Sequence, residues 1–93
     1  MNFINLFNAV AKIAKPLNVD FDGAKSLDDK MTEIGIDSMD SLIIGIYLCE
    51  IYGVSEELGK NWSPQTLQEF HDLLMQHKTK DPESIESAIA AIK

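Results

Sequence analysis

A serine stands between two acids in Ile36-Asp37-Ser38-Met39-Asp40, directly ahead of the apolar run Leu42-Ile43-Ile44-Gly45-Ile46. A seryl nucleophile needs a positioned base, and both histidines, His71 and His77, fall in a different helical segment. The Gly-x-Ser-x-Gly elbow is missing as well, so hydrolysis is disfavoured and no catalytic residue is assigned. Position 38 does supply a hydroxyl at a helix start, where free N–H groups and the helix dipole favour an attached phosphate. Asp37 and Asp40 would repel a bare phosphate, so chemistry there benefits from a divalent cation. Read alone, Ser38 is a helix-start serine.

A second chemical candidate is Asn18-x-Asp20-x-Asp22-Gly23 with Asp29 further on, close to a calcium loop of the EF-hand type. It fails at both ends. Asn18 replaces the usual Asp, Asp29 is too short to act as the bidentate Glu, and Lys25 stands where an apolar residue belongs. Pro16 and Leu17 also interrupt the helix that should feed such a loop. Weak divalent binding at Asp20, Asp22 and Asp29 is the expectation, not a sensor site. Cys49, without a second cysteine or a histidine cluster, reads as a packed side chain. His71 shares a helix face with Leu67 and Leu74, and Trp62 reads as a staple at a helix start.

These residues need elements to position them. Phe3, Leu6, Phe7, Val10, Ile13 and Ala14 recur at helical spacing, predicting a helix over residues 3–15 that Pro16 helps to end. Residues 17–37 lack periodicity and predict a long ordered loop with one helical turn near 27–31. Loops of that length are usually functional. The next helix starts at Asp37, with Asp40 at its positive end and Tyr52-Gly53 closing it. Its apolar residues go most of the way round, which means deep burial or a partner. Gly45 in its middle costs roughly 1 kcal/mol relative to alanine and marks a close approach.

A short helix at 56–59 follows. Ser63-Pro64 predicts a cap and first helical position for a helix running to about residue 78 through Leu67, Phe70, Leu73 and Leu74. Asp81-Pro82-Glu83 repeats the device, and Ile85, Ala88, Ile89 and Ile92 predict a short last helix, marginal unless it docks. No strand is expected. The fold class is all-α, a small helical bundle with a long first loop over residues 1–78 and an extension over 79–93.

Composition narrows the function. The chain has 93 residues, 45 % of them hydrophobic, and a net charge of −7. Residues 20–57 hold ten acids against Lys25 and Lys30, a net of −8, while the remainder is near neutral at +1. Such a field repels nucleic acid and anionic lipid and steers basic partners. One cysteine excludes an internal disulfide framework and fits a reducing compartment. The start carries no basic stretch and no apolar run approaches a membrane span. The expectation is a cytoplasmic monomer with no membrane insertion and no nucleic-acid partner.

Gly35-Ile36-Asp37-Ser38-Met39-Asp40-Ser41-Leu42 resembles the Gly-x-Asp-Ser-Leu/Met-Asp-x-aliphatic motif of acyl carrier proteins. The likeness covers residues 3–78, since the first helix, long loop, motif helix ending in Tyr-Gly, acidic connection and Thr66-Leu67-x-x-Phe70 helix follow the family's order. It implies a four-helix bundle of acyl-carrier type, extended here by the C-terminal helix. It also implies that Ser38 receives a 4′-phosphopantetheine arm from coenzyme A through a separate phosphopantetheinyl transferase. Asp37 would help hold that enzyme's Mg²⁺, and Met39 would border the arm. The arm's thiol would carry an acyl group as a thioester, for fatty-acid, lipid or polyketide-type biosynthesis. The chain itself is then not an enzyme, and Ser38 needs no local base.

The resemblance further implies partners, an acyl ligase or a synthase or acyltransferase, with basic docking faces that read Asp40, Glu50, Glu56 and Glu57. Ile43, Cys49 and Ile51 stand where the family commonly has acids, which suits a specialised carrier with a more apolar partner meeting Ile43. Equally, Ile43 and Ile51 face a core enlarged by the last helix. Leu42, Ile44, Ile46, Phe70 and Leu74 are the expected lining of an acyl pocket. A peptidyl or aminoacyl carrier would share the arm, and a calcium-binding helical module would lack it.

Overall fold

A computed structural model describes residues 2–14 and 23–92. Five helices follow in order: α1 (Phe3–Ala14), α2 (Ser38–Tyr52), α3 (Glu56–Lys60), α4 (Leu67–His77) and α5 (Ile85–Ile92). No strand is present among the described residues; Lys30 and Thr66 form one isolated antiparallel bridge. α1 buries Leu6, Phe7, Val10 and Ala11 on one face, as the helical spacing dictates. The ring of Phe7 meets that of Phe70 edge-on, with centroids 6.3 Å apart, which joins α1 to α4. Pro16, the expected stop, lies outside the described residues.

α2 is apolar nearly all round because neighbours cover it on several sides: it packs against α1, α3, α4 and α5. Its start and stop follow the local chemistry. The Asp37 carboxylate accepts from the Asp40 N–H at 2.8 Å, and Gly53 closes the helix in the left-handed region at φ 68°. At Gly45 a Cβ would lie 3.2 Å from Cζ of Phe70, so the missing side chain lets α2 approach α4.

Two helix starts differ from the sequence expectation. α4 begins at Leu67, not at Pro64, because Thr66 and Glu69 form a capping box: Glu69 N–H donates to the Thr66 hydroxyl at 3.2 Å, and Thr66 N–H donates to the Glu69 carboxylate at 3.1 Å. Two reciprocal bonds at Thr66 outweigh the proline preference at 64. α5 begins at Ile85, not beside Pro82, with the Ser84 hydroxyl accepting from Ser87 N–H at 3.0 Å. Within the loop, one turn closes at residues 26–29, where the Ser26 carbonyl accepts from Asp29, and a longer one follows at 30–34, where the Lys30 carbonyl accepts from Glu33 and Ile34.

The described part of the loop is stitched down. Asn8 holds Ala24 by both backbone groups, at 2.9 and 2.7 Å. Met31 N–H donates to the Gln65 carbonyl and Leu67 N–H to that of Asp29. Met31, Ile34 and Ile36 thereby enter the core. α5 docks on α1 and α2 and buries Ala88, supplying the packing that an eight-residue helix needs.

Candidate functional site

Ser38 is exposed at the first helical position of α2, one residue after the capping Asp37. Placing the cap at Asp37 turns the chain so that Ser38 and Ser41 face a cleft of about 680 Å³. One wall is the start of α2, with Met39 and Leu42; the floor comes from Met31 and Ile36 of the loop. The end of α3 contributes Lys60 and the α3–α4 connection Trp62 and Pro64, and Lys30 also lines the cleft. The volume falls within the range of roughly 300–1,000 Å³ of small-molecule sites. Met39 and Leu42 stay 70 % and 43 % exposed, a large apolar exposure for a helix otherwise buried on its inner side.

The expected site residues separate into three groups. Asp37, Ser38, Met39 and Leu42 meet at the cleft. Ile44, Phe70 and Leu74 are at most 1 % exposed in the core and do not line it. Ile46 is half-buried on α2, also outside the cleft. Of the docking candidates, Asp40 is half-buried in the first turn of α2, Glu50 is exposed on its last turn, and Glu56 and Glu57 are exposed on α3. Ile43 is half-buried. Ile51 and Cys49 are buried, Ile51 beside α5 and Cys49 against Gly59 of α3.

Other candidates resolve into packing. Burial, with the nearby Glu56 charge, pushes the Cys49 thiol up to about 11, which makes it a poor nucleophile at neutral pH. The His71 ring packs edge-on against Phe3, centroids 5.1 Å apart. Trp62 packs against Phe70 and His77 at 6.4 and 5.8 Å while also lining the cleft.

Asp20 and Asp22 lie outside the described residues. Asp29 uses one carboxylate oxygen to accept from the N–H groups of Lys25 and Ser26, at 2.7 and 3.0 Å. Those bonds hold its carboxyl below the usual range and make it a turn-forming residue. No group of three or more His, Cys, Asp or Glu stands ready for a metal among the described residues. No described helix is long and apolar enough to cross a membrane.

Among the cleft residues that the sequence did not single out for it are Lys30, Lys60 and Trp62. Lys60 and Trp62 are near neighbours, but Lys30 and Ser38 lie far upstream of them in the chain, so no spacing rule could have joined the group. No protein-family model, curated protein or solved structure matches the chain.

Proposed function

We propose that this chain is a carrier protein, not an enzyme, built as an acyl-carrier-type bundle with α5 added. Ser38 bears a 4′-phosphopantetheine arm, and the arm holds an acyl group as a thioester for partner enzymes of fatty-acid, lipid or polyketide-type biosynthesis. The observation that carries this reading is the position of Ser38: an exposed hydroxyl at the first turn of a long helix, capped by Asp37, at the edge of an open cleft.

The residues present suit that group. Helix-start N–H groups favour a phosphodiester at Ser38. The hydroxyl is open to a visiting transferase, whose base would take its proton while the phosphoanhydride bond of coenzyme A breaks and adenosine 3′,5′-bisphosphate leaves. Asp37 offers one carboxylate oxygen to Asp40 N–H, and its carboxylate charge suits a Mg²⁺ brought by the transferase. When bound, the arm supplies a thiol for thioester exchange. Everything else the chain does is positional: α2 fixes the attachment point, and Asp40 and Glu50 on α2 with Glu56 and Glu57 on α3 attract basic partner faces.

Intact mass after incubation with coenzyme A, Mg²⁺ and a promiscuous transferase tests the reading. The native chain should gain one phosphopantetheine, and Ser38→Ala none. An unchanged native mass would refute it.

A further inference from the structure

The core between α2 and α4 is filled. Ile44, Leu48, Phe70 and Leu74 are at most 1 % exposed, and Gly45 already brings α2 against the Phe70 ring. A chain entering there must displace close-packed side chains, which interiors resist. Open space lies instead outside the core, in the cleft beside Ser38.

The charge of that cleft departs from that of the sequence around Ser38. Residues 20–57 carry a net of −8, yet the cleft lining holds two lysines, Lys30 and Lys60, against one acid, Asp37. Neither lysine has a carboxylate within ion-pair distance among the described residues. Two cations held over a partly apolar floor attract an anion, and a net charge of −7 on the whole chain disfavours non-specific anion binding. Trp62 adds a flat apolar wall on the side of Lys60.

We propose that this cleft, and not the bundle interior, is the seat of the group attached at Ser38, and that Lys30 and Lys60 make it select an anionic group. The inference rests on Ser38 bearing an arm. Two sources share the required chemistry: the phosphodiester at Ser38 and a carboxylate on the transported acyl group.

The test loads the full chain from coenzyme A, butyryl-coenzyme A or succinyl-coenzyme A with a promiscuous transferase. Trp62, the single tryptophan, reports through its fluorescence, and intact mass follows thioester hydrolysis. A cargo carboxylate in the cleft shifts Trp62 emission for succinyl but not butyryl, and makes the succinyl thioester several-fold longer-lived than on the double variant Lys30→Gln with Lys60→Gln. That double change also removes the emission shift and leaves the butyryl lifetime unchanged.

A shift already complete on arm attachment, lost in the double variant and equal for both acyl groups, assigns the anion to the phosphodiester. Loaded forms whose Trp62 emission equals that of the unmodified chain, or a signal indifferent to both lysines, would overturn the proposal while leaving the carrier reading intact. A chain that gains no arm overturns both, and mass reveals this before any acyl comparison.

Discussion

The hydroxyl of Thr79 donates to the carbonyl oxygen of Gly53 at 2.6 Å, joining the C-terminal extension to the end of α2. The N–H groups of Thr79 and Lys80 add bonds to the Tyr52 carbonyl at 3.0 and 3.2 Å. This approach needs glycine twice over: φ is 68°, and a Cβ would run into the Thr79 hydroxyl. Gly53→Ala should therefore cost at least roughly 1–2 kcal/mol, and Thr79→Val about 1 kcal/mol. Urea unfolding of both variants checks the order.

Docking of α5 makes the extension part of the folded unit. Amides of residues 85–92 should exchange with solvent far more slowly than those of a free peptide. Ala88→Asp places a charge at a buried position and should cost about 3 kcal/mol or more. At exposed Ala90 the same change should cost less than about 1 kcal/mol. Hydrogen exchange and thermal midpoints read these outcomes.

Alkaline pH should weaken the fold through Cys49 and Tyr52. The Cys49 thiol rises from an ordinary 9.0 to about 11 through burial, then the Glu56 charge. The folded state therefore holds this proton more tightly than the unfolded chain. Its contribution is full below pH 9 and is lost between pH 9 and about 11. Tyr52 is pushed up too, by burial and by Asp81, so it acts in the same direction. Cys49→Ala should flatten the decline of the thermal midpoint with pH, leaving the Tyr52 part.

Asp37 has a structural and a proposed chemical duty, and two substitutions separate them. Asparagine caps helices as well as aspartate does, so Asp37→Asn should leave stability nearly unchanged while slowing Mg²⁺-dependent loading of Ser38. Asp37→Ala should also lose about 1 kcal/mol of stability. Unfolding and loading rates, measured on both variants, give the separation; equal loading by the asparagine variant would remove the metal role.

Ile43 and Ile51 divide along the same line. Ile51 is buried beside α5, so Ile51→Glu should cost about 3 kcal/mol or more. Ile43 is only half-buried, so Ile43→Glu should be tolerated with a smaller loss. Under the carrier proposal it should weaken acylation by the cognate ligase, measured as the fraction of loaded chain by mass.

Much of the fold was legible in the residues themselves. The spacing of Phe3, Leu6, Phe7 and Val10, the cap at Asp37 and the stop at Gly53 are local rules of hydrogen bonding and backbone sterics, and a linear reading reaches them. Thr66-x-x-Glu69 carried the α4 start in plain view, but the competing signal Ser63-Pro64 is equally local, and only the realised pairing of the loop with Gln65 and Leu67 decides between them. Docking of α5, the burial of Ile51 and Cys49, and the gathering of Lys30, Lys60 and Trp62 around Ser38 depend on segments distant in the chain. No local pattern encodes such contacts, because they exist only once close packing has brought those segments together.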